Sequence, residues 1–205
     1  MRESEMQGFT LWFTGLPCSG KTTVCNIVER ELRHRGLNVE VLDGDEVRRN
    51  LSKDLGFSKE DRDAHIKRIG FIAKLLSRNG VATLAAFVSP YREVREYLRS
   101  EIGNFVEVYV KCPVEVCMGR DVKGMYKRAI AGEIQNFTGI SDPYEEPSGP
   151  EVVVETDKET PTESAQKVLR KLESLEYIPV VSESVVYTTE EEEKIKKRLR
   201  TLGYL

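Results

Sequence analysis

The chain is poor in the residues that build metal sites and covalent frameworks. It has two histidines and four cysteines in 205 residues. Cys18, Cys25, Cys112 and Cys117 form no C-x-x-C pair, and none has a histidine at ligand spacing. That pattern argues against a zinc site or a disulfide scaffold and predicts a reducing, cytoplasmic setting. Long apolar runs are missing too: none approaches the roughly eighteen residues of a membrane span. The opening MRESEMQG lacks the basic start and apolar centre of a signal peptide, so neither export nor anchoring is expected. Charge of one sign is not in surplus, with 31 basic against 34 acidic side chains and a formal net charge of −3. A nucleic-acid binder or a disordered chain would be more lopsided, so any anionic ligand needs a local basic site. Repeats and low-complexity tracts are absent, and the length suits one α/β domain.

What the chain does have is an alternation of strand and helix patterns. Phe9 to Thr14 is a short aromatic and β-branched run ending at Gly15, and from Lys21 onward Val24, Ile27, Val28 and Leu32 mark a helical stripe closed by Gly36. Further strands are predicted at Val39 to Leu42, Val81 to Val88, Phe105 to Val110 and Val152 to Glu155. Helices are predicted from Ser58 to about Arg78, from Tyr91 to about Ile102, and after the capping signal Thr160, Pro161, Glu163. The order predicts a mostly parallel central sheet with helices on both faces. The core domain is expected over 1–175. A glycine-rich and basic segment at about 120–149 has no sustained period and is a lid candidate. Residues 176–205 form a tail in which Thr189 and Glu192 predict a short capped helix.

Gly15 to Thr22 reads G-x-x-x-x-G-K-T, after a strand and opening a helix, where a phosphate-binding loop needs to be. Gly15, Leu16, Pro17, Cys18, Ser19 and Gly20 would turn backbone N–H groups onto phosphate oxygens, and the helix N-terminus adds partial positive charge there. Lys21 would meet the β- and γ-phosphates of ATP. Thr22, followed by Thr23, offers a hydroxyl to Mg²⁺. Asp43 and Asp45 sit two apart at the C-terminal edge of the second strand, where open α/β sheets bind ligands. One acid would hold Mg²⁺ or its water, and the other would orient an attacking hydroxyl. A turn with solvated acids is the competing reading.

Basic residues gather near the same edge: Arg48, Arg49, Arg62, Arg92, Arg95, Arg120, Lys123, Lys127 and Arg128. Several on loops at one edge suggest an anionic acceptor. Phe57 and Phe137 stand where polar loop residues are expected. Either they pack in the core or they stack on a flat base.

The stretches "GLPCSGKTT", "LDGDEVRRNLSKDLGFSKEDRDAHIKR", "FVSPYREVR" and "RDVKGMYKRAIAGEIQNFTGISDPYEEP" together resemble, in order and spacing, the motifs of the adenylyl-sulfate kinase (APS kinase) family. The resemblance runs from about Phe9 to Leu175. It implies a P-loop kinase fold with a lid, and transfer of the γ-phosphate of MgATP to the 3′-hydroxyl of adenosine 5′-phosphosulfate. It further implies that Arg48 and Arg62 hold the phosphosulfate end and that Phe57 and Phe137 sandwich the acceptor's adenine. Asp43 and Asp45 would organise Mg²⁺ and the hydroxyl, Arg120 would lie near the ATP base, and Lys123 would reach the substrate from the lid. Ser89 matches a serine proposed in the family to carry phosphate transiently, although direct transfer needs no carrier. A hydroxyl capping the helix that opens at Pro90 is its local alternative.

The sequence departs from the family where "DRxENIRR" is usual, because His65 replaces an asparagine and Ala64 an acid. Arg62 and His65 lie three apart, so His65 is expected to face the acceptor and to make its affinity depend on pH near the imidazole range; a surface histidine is the alternative. The resemblance implies a homodimer and a sulfate adenylyltransferase as a partner. Competing readings are a kinase for another small hydroxyl acceptor, such as a nucleoside monophosphate, and a non-catalytic ATP-binding module.

Overall fold

The computed structural model describes residues 7–180. Strand β1 (Phe9–Thr14) is buried along its whole length. Phe9, Leu11 and Phe13 pack into one apolar cluster and Trp12 into another, as the two-residue period of a strand requires. With β2 (Val39–Asp43), β3 (Ala82–Ala86), β4 (Phe105–Lys111) and β5 (Val152–Glu155) it forms a five-stranded sheet in the order β2-β3-β1-β4-β5. Every pairing is parallel. Burial on both faces is why β1 and β4 read as near-continuous apolar runs.

The helices are α1 (Lys21–His34), α2 (Gly44–Leu51), α3 (Lys59–Ser77), α4 (Arg92–Glu101), α5 (Val114–Arg120), α6 (Met125–Ile130) and α7 (Pro161–Ser174). On one face Val24, Val28 and Leu32 of α1 meet Val168 and Leu172 of α7 over β1. On the other, Ile66, Ile69 and Ala73 of α3 and Val94 and Leu98 of α4 pack around Trp12 and Phe105. This is the α/β layering, a parallel sheet with helices on both faces, that the alternation predicts.

The local signals act as the sequence suggests. Ser58 Oγ accepts from the Asp61 backbone N–H at 3.1 Å, and Thr160 and Glu163 cap α7 reciprocally. Gly36, at φ 81°, ends α1. Three features differ. The Asp43–Asp45 stretch is the start of α2 and no simple turn: Asp43 Oδ1 accepts from the Glu46 N–H at 3.0 Å and nucleates the helix. The third strand stops at Ala86, and α4 begins at Arg92, two residues after Pro90. The lid candidate contains α6 and, with α5, encloses a small cluster of Cys112, Cys117, Tyr126, Ala129 and Phe137. A helix of six residues is too short to show a period.

Apolar packing continues to Ile178, and Tyr177 stacks on Phe9 with centroids 5.4 Å apart. The helix expected at Thr189 and Glu192 lies outside the described residues. Among the described residues, no helix is long and apolar enough to cross a membrane.

A tight backbone approach secures the start of β1. A Cβ on Gly8 would lie 2.1 Å from the Ser77 carbonyl oxygen and 2.7 Å from the Val81 nitrogen. Neither neighbour is a side-chain end that can swing away. Gly8→Ala is therefore expected to cost about 1 to 3 kcal/mol by overpacking, read as a lower urea midpoint with an unchanged slope.

Candidate functional site

The loop after β1 is shaped by three residues with positive φ, Gly15 at 153°, Cys18 at 59° and Gly20 at 99°. Gly15 has a second reason to be glycine, since a Cβ there would sit 2.4 Å from the Val110 carbonyl oxygen of β4. Lys21, first residue of α1, folds back over the loop and donates from Nζ to the carbonyls of Gly15 at 2.9 Å and Leu16 at 2.7 Å. Burial pulls its pKa down to about 8, partly opposed by the thiols of Cys117 and Cys18. The ammonium thus waits at the mouth of the loop, held by groups that a more basic oxyanion displaces.

At the C-terminal edge of the sheet lies a cavity of about 940 Å³. Its wall includes Pro17, Cys18, Gly20, Lys21, Thr22 and Thr23 from the loop, with Asp43, Arg48, Phe57, Arg62, His65, Ser89, Arg120, Lys123 and Phe137. These residues, scattered over more than a hundred positions, were each singled out from the sequence. Gly15, Leu16 and Ser19 form the back of the loop and do not line the cavity. The side chain of Asp45 lies outside the described residues.

At the end away from the loop, the Arg48 guanidinium lies 4.2 Å from the centre of the Phe57 ring and donates to the Gly56 carbonyl at 2.5 Å. Arg62 donates to the Phe57 carbonyl at 3.0 Å, to Thr138 Oγ1 at 2.7 Å and to the Asn136 carbonyl. It thereby joins the loop before α3 to the segment that follows α6. Phe57 is 60% exposed, which excludes core packing for it. Phe137 is buried with its ring edge-on to Tyr126 at 5.0 Å.

His65 is not the surface histidine of the alternative reading. It is buried, with Nδ1 2.8 Å from Ser52 Oγ and its ring edge-on to Phe87. Burial, then the charges of Arg48 and Arg68, lower its pKa to about 4. The expected pH dependence near the ordinary imidazole range is therefore corrected: the ring is neutral throughout that range.

Ser89 is buried at φ 38°. Its Oγ accepts from Trp12 Nε1 at 3.0 Å and donates to Thr14 Oγ1 at 3.0 Å. The helix-capping alternative fails, because the residue before α4 is Tyr91 and no side chain caps that helix. Five of the basic residues, Arg49, Arg92, Arg95, Lys127 and Arg128, do not line the cavity. Arg95 is buried against Glu107, 2.8 Å away, and Arg92 donates to the Glu146 carbonyl at 2.9 Å. Arg128 pairs with Glu133 in solvent.

Arg120 donates to Thr156 Oγ1 at 3.1 Å and to the Thr156 carbonyl at 2.6 Å, while Thr156 Oγ1 donates to the Ser19 carbonyl at 2.7 Å. Sequence reasoning missed Thr156, whose only signal is its place just past β5 at the ligand edge. It also missed Thr138, whose hydroxyl accepts from Arg62.

Thr22 and Asp43 are both exposed on the cavity wall. Among the described residues there is no group of three or more His, Cys, Asp or Glu side chains able to hold a metal. That donor set fits Mg²⁺, which keeps most of its waters and binds through one or two protein oxygens plus phosphate.

Comparison with known proteins agrees with this geometry. The family model for adenylylsulphate kinase matches residues 7–155. An adenylyl-sulfate kinase of Rippkaea orientalis is 58% identical over 174 residues, 85% of this chain and 96% of that one. The "Probable bifunctional SAT/APS kinase 2" of Sorangium cellulosum is also 58% identical, but the match spans only 30% of its length and 85% of this chain. Among solved structures, the Mycobacterium tuberculosis APS kinase in complex with AMPPNP and APS superimposes with a TM-score of 0.78 at 41% identity, covering 82% of this chain and 98% of that one.

The state of His65 gives a test that needs no substrate. A histidine near 4 when folded and about 6.5 when unfolded binds fewer protons in the native state between those values. Its contribution to stability is complete above pH 6.5 and is lost as pH falls toward 4. Urea midpoints of wild type should therefore drop more between pH 7 and pH 4.5 than those of His65→Asn; parallel losses would show that the ring titrates normally.

Proposed function

The chain belongs to the adenylylsulphate kinase family, and on that premise we propose that it transfers the γ-phosphate of MgATP to the 3′-hydroxyl of adenosine 5′-phosphosulfate, giving ADP and 3′-phosphoadenosine 5′-phosphosulfate. The observation that carries this reading is one cavity with a phosphate loop and Lys21 at one end and an arginine pair with two phenylalanines at the other. A phosphate donor and an anionic, aromatic acceptor fit those two ends respectively.

In this reading Lys21 exchanges the carbonyls of Gly15 and Leu16 for the β- and γ-phosphate oxygens, and neutralises charge as the γ-phosphoryl leaves. Thr22 and Asp43 would hold Mg²⁺, which when bound would supply neutralisation of phosphate charge. Asp45 orients the acceptor's 3′-hydroxyl and takes its proton as the new P–O bond forms and the β–γ bridge breaks. Arg48 and Arg62 receive the phosphosulfate end, Phe57 and Phe137 face the acceptor's adenine, and His65 borders it as a neutral ring. Lys123 approaches from the lid, and Arg120 flanks the ATP base. Ser89, committed to Trp12 and Thr14, shapes the wall and carries no phosphate.

A homodimer in the cytoplasm is part of the same proposal, resting on the family resemblance and the sequence composition. The fused relative from Sorangium cellulosum supports contact with a sulfate adenylyltransferase.

ADP release measured against a panel of acceptors with MgATP should be specific for adenosine 5′-phosphosulfate and abolished by chelation of Mg²⁺. Lys21→Ala should lose about two orders of magnitude or more in turnover, the scale of removing one preorganised electrostatic contact, with its melting temperature intact. A nucleoside monophosphate working equally well would overturn the assignment of acceptor.

The aromatic pair gives a sharper test. Stacking of a base on an aromatic ring is worth about 1 to 3 kcal/mol, so Phe57→Leu should weaken acceptor affinity by roughly tenfold. Being largely exposed, the position should tolerate the change without loss of stability, and ATP affinity should hold. Unchanged acceptor affinity would remove Phe57 from the site.

A further inference from the structure

Arg95 carries a buried charge that this mechanism does not use. Arg95 is 2% exposed, and its three nitrogens reach three different parts of the chain. Nε donates to Glu107 Oε1 at 2.8 Å, Nη1 to the Ser89 carbonyl at 2.5 Å, and Nη2 to the Glu145 carbonyl at 2.6 Å. We propose that Arg95 is a positioning residue of the reaction: it ties the Ser89 turn, which forms one wall of the cavity, to the returning leg of the lid. This rests on the kinase reading given above.

The leg in question is Asp142 to Glu146. It lies on the Ser89–Arg92 turn through bonds that involve both backbone and side chains. The Glu145 N–H donates to the Pro90 carbonyl at 2.8 Å, and its carboxylate accepts from the Arg92 N–H at 2.7 Å. Tyr91 OH donates to Asp142 at 2.9 Å, and Tyr144 OH is 3.0 Å from Thr14 Oγ1, the hydroxyl that Ser89 also meets. Arg95 also lies 5.7 Å from the centre of the Tyr144 ring. Thr14 of β1 joins the turn and the leg through one hydroxyl, and Arg95 joins the turn, the leg and β4 through three separate nitrogens.

Two physical arguments favour positioning over mere stability. A buried ion pair is a poor stabiliser compared with apolar packing of the same volume, so a charged fork here points to geometry that it fixes. Ser89 also holds a backbone conformation that a serine disfavours, and such strain persists only where surrounding bonds over-determine it. The bond from Arg95 to the Ser89 carbonyl is one of these. The consequence is that the swinging part of the lid ends before Asp142, and Arg95 sets the fixed pivot.

The test uses the full-length chain. Arg95→Lys keeps the charge beside Glu107, but its three N–H donors radiate from a single nitrogen and cannot span acceptors that the guanidinium meets from three separate nitrogens. It should lower kcat about tenfold or more, since misplacement of a site wall by an ångström is costly, while KM for ATP stays within about twofold. Arg99→Met is the control: Arg99 bonds Glu107 and Glu151 in the same charge cluster but touches neither Ser89 nor the leg. It should lower stability and leave kcat unchanged. Hydrogen exchange should speed up at 142–146 in Arg95→Lys and not in Arg99→Met, a readout independent of which acceptor the enzyme uses. If Arg95→Lys does not fold, Tyr144→Phe, which cuts the leg's hydroxyl link to Thr14, should lower kcat in the same selective way. Wild-type kcat in a folded Arg95→Lys, or unchanged exchange at 142–146, would overturn the proposal. Absence of acceptor-dependent turnover in wild type would instead strike at the kinase reading, leaving the exchange result to stand.

Discussion

The close passage of Gly15 beneath the end of β4 is the constraint on which the site depends. Because β1 is the middle strand, the chain leaving it must clear two neighbours before it can turn. It clears β4 only without a side chain, with a Cβ-to-carbonyl separation of 2.4 Å ruling one out. The turn that follows is therefore tight, and it delivers the first turn of α1 straight over the sheet edge. Lys21 arrives there already held by two carbonyls. A looser turn would leave the ammonium solvated, and the rest of the cavity would have no fixed donor end to be measured from.

Around that end the cations divide by what surrounds them. Arg48, Arg62 and Arg120 border open space and bond mainly to backbone carbonyls. Such neutral partners are readily exchanged for an anion, which forms stronger, charge-assisted bonds. Arg95 is instead matched to a buried carboxylate and withdrawn from ligand. His65, neutralised by its burial and its two arginine neighbours, adds shape and hydrogen bonding to the cavity wall without adding charge. A uniformly basic cleft would bind any polyanion, whereas this arrangement restricts positive charge to a few points.

The fold was legible where its cause is local. The stripe of Val24, Val28 and Leu32, the Thr160–Glu163 capping box and the Gly36 stop each depend on residues within a few positions of one another. The phosphate loop was legible for the same reason. The convergence of Arg48, Phe57, Arg62 and Phe137 was suggested by their residue types and given roles by the family resemblance, because no local pattern says which loops meet. What stayed hidden is long-range. Arg95 looks like any helix-surface arginine until Glu107, twelve residues away on β4, is placed beside it. Thr156 carries no signal apart from its position past a strand end, and α2 and α6 are too short to declare a period. Ser89 invited a helix-cap reading that only the path of the chain through Pro90 could refuse.

The strand order also sets a schedule. Phe9 pairs with Ala82 on one side and Thr10 with Phe105 on the other, so the first strand made waits for both of its neighbours. At a synthesis rate of about 5 to 20 residues per second, the apolar segment Phe9–Phe13 spends on the order of several seconds emerging or emerged without either neighbour. Parallel partners cannot be supplied by a hairpin, since each needs a crossover to form first. During that interval α1 is the first element available to cover one face of the strand, and α3 follows for the other. The helix that opens the phosphate site is thus also the earliest shelter for the core of the nascent protein.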